Sequence, residues 1–185
     1  MKNNKTIICV TGLPGSGKSI FCKVGETIGY KIIVMGDQIR NQAKKRGLSN
    51  NAETLSKLMI ELREKEGKDI VAKLCLNEIQ LTKNYNIIID GIRNKEEIKL
   101  FKKIGNVSII LIESTTEQRI KFLQKRARSD APINYKSFNE RDKKELKIGL
   151  NSIINSADIT VSNINLTEKE FIDKSKKILS RLIRE

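Results

Sequence analysis

The chain has 185 residues, and 36 Lys+Arg against 22 Asp+Glu give it a formal charge of +14, with no histidine anywhere. Hydrophobic residues at 38% and charged residues at 31% exclude a disordered chain, and the length suits one domain with a full core. Without imidazole any general base is Asp, Glu, Lys or Tyr; with Cys9, Cys22 and Cys75 forming no close pair, a zinc site is not expected.

The first predicted element is a strand. Thr6-Ile7-Ile8-Cys9-Val10 is apolar and β-prone, and Ile20, Phe21, Val24 and Ile28 follow with helical spacing. Between them Gly12-Leu13-Pro14-Gly15-Ser16-Gly17-Lys18-Ser19 fits G-x-x-x-x-G-K-[ST], the phosphate-binding P-loop. A loop between a strand and a helix N-terminus is where an anion is favoured. Glycines let the backbone curl so that successive N–H groups face a phosphate. Lys18 would reach the β- and γ-phosphates, and the Ser19 hydroxyl would hold Mg2+. The alternative, a Gly-rich turn that binds nothing, is disfavoured by the strand before it and the helix after it.

The second strand, Lys31-Ile32-Ile33-Val34-Met35, runs into Gly36-Asp37-Gln38-Ile39-Arg40. Asp37 has two readings: N-cap of the next helix, or a base or orienting group for a second substrate. Arg40 would bind that substrate's phosphate. The stretch from about 37 to 83 is too long for a crossover helix and is expected to form a small helical insert. Within it Leu55, Leu58, Met59 and Leu62 share one face, and Ile70, Val71 and Leu74 another.

The third strand, Asn86-Ile87-Ile88-Ile89, ends in Asp90-Gly91-Ile92-Arg93. A carboxylate at the C-terminal edge of a buried strand points at the crevice where open α/β sheets bind ligands. Asp90 would hold Mg2+ through water, or else cap the turn before Gly91. Arg93 suits a phosphate, or else pairs at the surface with Glu96 or Glu97. Ile98, Phe101 and Ile104 mark the next helix, Val107 to Ile112 the fourth strand, and Ile120 and Leu123 the helix after it. Ser129 to Tyr135 is polar and turn-prone, and the region of about 126–141 reads as a short lid flanked by Arg119, Arg126, Arg128 and Arg141. Such charges would stabilise phosphoryl transfer and exclude water, or else form a solvated basic face in which Asp130 and Asp142 pair with them. Leu146, Leu150, Ile153 and Ile154 precede a fifth strand, Asp158 to Val161, and Phe171, Ile178, Leu182 and Ile183 close the chain.

Strands alternating with helices imply an α/β fold, a five-stranded parallel sheet joined by right-handed crossovers. Residues 1–185 read as a single domain. No apolar run is long enough to span a bilayer and no signal peptide is evident, so a cytoplasmic setting with free thiols is expected. The basic charge suits an anionic partner, but lysines are spread along most helices, and aromatics at 4% are few for an RNA-stacking platform. Nucleic-acid binding is therefore not the favoured reading.

Taken together, the P-loop, Gly36-Asp37-Gln38-Ile39-Arg40, Asp90-Gly91-Ile92-Arg93 and the arginine-rich lid resemble the nucleoside monophosphate kinase superfamily, which includes adenylate kinase and dephospho-CoA kinase. Lys44-Lys45-Arg46-Gly47-Leu48, Leu62 to Asp69 and Phe138-Asn139-Glu140-Arg141-Asp142 are similar to an archaeal family labelled adenylate-kinase-like or dephospho-CoA-kinase-like. The resemblance covers nearly the whole chain. It implies a P-loop NTPase three-layer sandwich with a helical acceptor-binding insert and a short lid, and ATP and Mg2+ as ligands. It further implies that Arg40 and Arg93 bind an acceptor nucleotide and that Arg119, Arg126 and Arg141 attend the transferred phosphate. The lid lacks the four-cysteine metal site of long-lid relatives. Two function classes stand: a phosphotransferase acting on a nucleoside monophosphate or dephospho-CoA, and a nucleotide-dependent ATPase or switch associated with RNA or ribosome processing.

Overall fold

A computed structural model describes residues 5–126 and 135–183. The segment read as a lid, with Arg128 and Asp130, falls largely outside the described residues. Five strands, β1 (Lys5–Thr11), β2 (Lys31–Val34), β3 (Asn86–Asp90), β4 (Gly105–Glu113) and β5 (Ile159–Ser162), form one sheet in the order β2-β3-β1-β4-β5. Every pairing is parallel. The Ile-rich runs meet the need of such strands to be covered on both faces.

Helices supply that cover. In chain order they are α1 (Lys18–Thr27), α2 (Met35–Lys45), α3 (Ala52–Glu66), α4 (Ile70–Leu81), α5 (Lys95–Lys102), α6 (Thr116–Arg126), α7 (Tyr135–Glu145), α8 (Asn151–Ile154) and α9 (Glu168–Leu182). Because side chains alternate along a strand, Ile7 and Cys9 face one layer and Ile8 and Val10 the other. The first set packs with Leu58, Leu62, Val71, Cys75, Phe101 and Ile153; the second packs with Phe21, Phe171 and Leu179. The result is the three-layer α/β/α arrangement expected, with α2, α3 and α4 filling the long insert between β2 and β3.

Boundaries differ in instructive ways. Met35, read as the end of the second strand, is the first residue of α2. It is almost fully buried in the first core, so its apolar character answers to packing rather than to the pleat. The fourth strand begins two residues before Val107, because Gly105 lets β4 approach the Lys5 carbonyl where a Cβ would collide. Between α7 and α8 the chain makes a π-type turn, Leu146–Leu150, broken at Gly149 with φ 132°.

All three cysteines are buried and unpaired. Burial pushes the Cys9 and Cys22 thiols well above the usual range and raises Cys75 to about 12. Among the described residues no helix is long and apolar enough to cross a membrane.

Candidate functional site

Three glycines shape the loop after β1. Gly12, Gly15 and Gly17 have φ of 141°, 82° and 109°, values that L side chains rarely adopt. Space enforces the same choice: a Cβ on Gly12 would collide with the Ile112 carbonyl, and one on Gly17 would stand 2.7 Å from the Asn163 amide nitrogen. Asn163 Nδ2 donates to the Ser16 carbonyl at 3.0 Å, and Arg119 Nη1 donates to the Pro14 carbonyl at 3.1 Å. The loop is thus held from outside as well as by its own turns. Lys18 Nζ folds back to donate to the carbonyls of Gly12 (2.6 Å) and Leu13 (3.0 Å). The Ser16 hydroxyl is buried without a hydrogen-bond partner, whereas Ser19 stands exposed at the start of α1.

The loop after β3 is stitched to the end of β1, just before the P-loop. Asp90 is in register with Val10 on one side and Val34 on the other. Gly91 N and Ile92 N both donate to the Val10 carbonyl, and Thr11 Oγ1 donates to the Ile92 carbonyl at 3.1 Å. Burial pushes the Lys18 ammonium below its usual range; Asp90 and Glu145 oppose that shift and Arg93 adds to it. Lys18, Asp90, Arg93 and Glu145 therefore share one field at the C-terminal edge of the sheet.

Arg93 pairs with neither Glu96 nor Glu97 through its side chain, contrary to the surface-pair alternative. Its Nε donates to Glu145 Oε2 at 2.6 Å and its Nη2 to Glu145 Oε1 at 3.1 Å, a two-pronged pair with both partners mostly buried. Burial alone raises the Glu145 carboxyl, but Arg93, aided by Lys18 and Arg141, outweighs it and holds the group at about 2. Glu97, fully buried, instead accepts from the Arg93 backbone N–H at 2.8 Å and from Arg63 Nη2 at 2.7 Å. It also forms the capping box that starts α5 with Asn94.

The remaining expected residues fall in three places. Asp37 and Arg40 meet each other in the first turns of α2, both substantially exposed. Asp37 is not the cap of that helix; Val34 occupies the cap position and offers no side-chain bond. Arg119 is buried, donating to Asp142 Oδ1 at 3.0 Å and Oδ2 at 2.5 Å, with its guanidinium 4.6 Å from the centre of the Phe138 ring. It clamps α6, α7 and the P-loop together. Arg126 closes α6, and Arg141 lies on α7.

Motif matching passes over Glu145 and Asn163. Glu145 has a signal nonetheless: Phe138, Arg141, Asp142 and Glu145 recur at i, i+3, i+4 and i+7, one face of a helix carrying one ring and three charges. Asn163 has none, because its role follows from where β5 ends.

A family model described as an AAA domain matches residues 11–139. A UPF0200 protein of Hyperthermus butylicus is 34% identical over 97% of this chain and 96% of its own length. The chain belongs to the UPF0200 family. Another family member, from Sulfurisphaera tokodaii, is 38% identical over 96% of this chain and 97% of its own. Among solved structures, TT1252 from Thermus thermophilus superposes with a TM-score of 0.66 at 14% identity, covering 98% of this chain and 100% of that one. Shikimate kinase from Acinetobacter baumannii, solved with shikimate, gives 0.58 at 17% identity, covering 97% and 93%. The fold of this UPF0200 chain is that of P-loop kinases.

Proposed function

We propose that the protein is an ATP-dependent phosphotransferase that moves the γ-phosphate to a nucleotide-type acceptor, a nucleoside monophosphate or dephospho-CoA, in the cytoplasm. One observation carries this reading: the end of β1, which leads directly into the P-loop, is hydrogen-bonded to the Gly91-Ile92 turn that lies between Asp90 and Arg93. A triphosphate cradle and a cationic second subsite then share one mouth.

The residues fit the ligands. Positive-φ glycines leave N–H groups free to converge, and the buried Ser16 hydroxyl has no partner of its own. Ser19 and Asp90 would hold Mg2+ together with phosphate oxygens, as this ion takes few protein carboxylates. Mg2+ supplies neutralisation of the charge that builds on the transferring phosphate. Lys18, released from the Gly12 and Leu13 carbonyls, donates to the β- and γ-phosphates. Arg40 and Arg93 bind the acceptor, with Asp37 orienting it. Arg126 and Arg141 bring positive charge over the transferred group, while Arg119 acts through Pro14 and Asp142.

Transfer of label from γ-labelled ATP to a panel of AMP, CMP, UMP, GMP, deoxynucleotides, dephospho-CoA and short RNA tests this reading. Labelled nucleotide product is expected. Hydrolysis without transfer to any acceptor would overturn it. A second reading, an RNA-associated ATPase, draws on a depression of about 710 Å³ between α2 and α4, where Lys44, Lys45 and Lys73 stand beside Asn41 and Asn77. ATP hydrolysis stimulated by RNA and suppressed by salt would favour it.

A further inference from the structure

Arg93 already holds an anion. The two Glu145 oxygens take the Nε–Nη2 edge of the guanidinium, at 2.6 and 3.1 Å, the two-pronged seat that a phosphate would use, while Nη1 is turned to the Gly91 carbonyl at 3.4 Å. The two partners are anchored very differently. The Arg93 backbone is fixed: its N–H is held by the buried Glu97 carboxylate at 2.8 Å, and its carbonyl abuts Gly149, where a Cβ would stand 2.9 Å away. Glu145 is the last residue of α7, just before the π-type turn that breaks at Gly149. The one residue of α7 in the buried set is Phe138; its other ties to the body include the carboxylates of Asp142 and Glu145. Ionic ties exchange with anions from solution, whereas apolar ones do not.

From this geometry we infer that Glu145 is an internal counter-anion of the acceptor subsite, displaced from Arg93 by the phosphate of an incoming acceptor. Glu145 thereby selects the substrate class. A phosphate dianion carries more charge than the carboxylate it replaces, and Lys18 and Arg141 lie close enough to favour the exchange. A neutral hydroxyl compound offers Arg93 nothing to replace Glu145 with. Of the two acceptors proposed above, the exchange therefore selects the phosphate monoester, whose terminal phosphate is a dianion, over dephospho-CoA, whose internal diphosphate carries one charge per phosphorus. The displacement itself needs only the Arg93 pair; its meaning for substrate choice rests on the phosphotransferase reading.

Calorimetric titration of inorganic phosphate, AMP and adenosine into the wild-type chain, Glu145→Gln, Arg93→Gln and the double variant tests it. Glu145→Gln is expected to bind inorganic phosphate and AMP about ten-fold tighter or more, with adenosine unchanged. The gain disappears when Arg93 is also replaced, which separates this subsite from phosphate taken by the P-loop. Unchanged or weaker phosphate binding by Glu145→Gln would overturn the proposal and leave Glu145 a structural counter-ion. Should that variant not fold, amide exchange of the wild-type chain decides the matter: added phosphate is expected to speed exchange along α7, and no change overturns the proposal. An Arg93-dependent gain in phosphate binding, alongside a failed label-transfer assay, would retire the phosphotransferase reading and keep the exchange.

Discussion

The P-loop and helix α7 are joined through Arg119 and are held by opposite means. The loop is fixed by backbone shape and close packing: glycines at positive φ, carbonyls received by Asn163 and Arg119, and α1 packed on α9 through Phe21, Phe171 and Leu179. Helix α7 is fixed by charge, through Asp142 on Arg119 and Glu145 on Arg93. Packing has no competitor in solution and resists small displacements, while an ion pair can be exchanged for another anion that reaches the cation, more readily at Arg93, which is partly exposed, than at the buried Arg119. On the function proposed above, the first kind of anchor suits a cradle that must meet every triphosphate identically, and the second suits a segment that must make way for a second ligand.

Arg119 is where the two kinds of anchor meet, and its loss is expected to have the largest effect. Arg119→Ala leaves the mostly buried Asp142 without its partner and the Pro14 carbonyl without its donor. Removing one side of a buried pair costs about 3–5 kcal/mol, read as a shift in the urea midpoint. A loss under about 1 kcal/mol would mean that α7 is held mainly by Phe138. Gly12→Ala comes next. A Cβ there collides with the Ile112 carbonyl at a φ of 141°, so about 3 kcal/mol of destabilisation is expected in the same titration. Retained stability would show that the loop relaxes as freely as α7.

The Glu145 pair gives a smaller, pH-dependent effect. The folded carboxyl at about 2 lies below the usual 4.5, so its stabilisation is complete above about pH 4.5 and is lost as pH falls towards 2. The shift corresponds to about 3 kcal/mol by linkage, and to about 2 kcal/mol once solvent screening of the partly exposed Arg93 is allowed for. Glu145→Gln is expected to remove that much at pH 7 and to flatten the acid limb of stability against pH. An unchanged acid limb would place the pH sensitivity elsewhere. The exposed Asp37–Arg40 pair is expected to matter least. Asp37→Asn changes stability by under about 0.5 kcal/mol. With a phosphate-monoester acceptor it lowers kcat only modestly, since an anionic acceptor oxygen needs no base. A large kcat loss in the label-transfer assay would instead point to a hydroxyl acceptor and against the exchange at Arg93.

Much of the frame was legible because it depends on local pattern. Ile87-Ile88-Ile89 can hardly be anything but a doubly covered strand, and the spacing from Gly12 to Ser19 dictates the loop that the structure contains. Met35 escaped because hydrophobicity reports burial, not the point where a strand becomes a helix. Site residues were legible as types rather than as pairings. Arg93 was visible as a cation beside Asp90, yet its partner lies 52 residues away at the end of α7, a pairing that no local periodicity announces. For Arg119 the pairing with Asp142 was one of two open readings, and only the distance across α6 and α7 chooses it.

The three thiols carry a practical consequence. Deep in the sheet and its first helices, with their proton affinity raised, Cys9, Cys22 and Cys75 are poor nucleophiles towards maleimides. The natural chain is already a quiet background for site-directed labelling. A single thiol introduced at exposed Lys143 on α7, with a second at exposed Lys99 on α5, would take up a fluorophore pair without prior removal of the native cysteines. The separation of the two dyes then becomes a direct optical gauge of where α7 sits as anions are added.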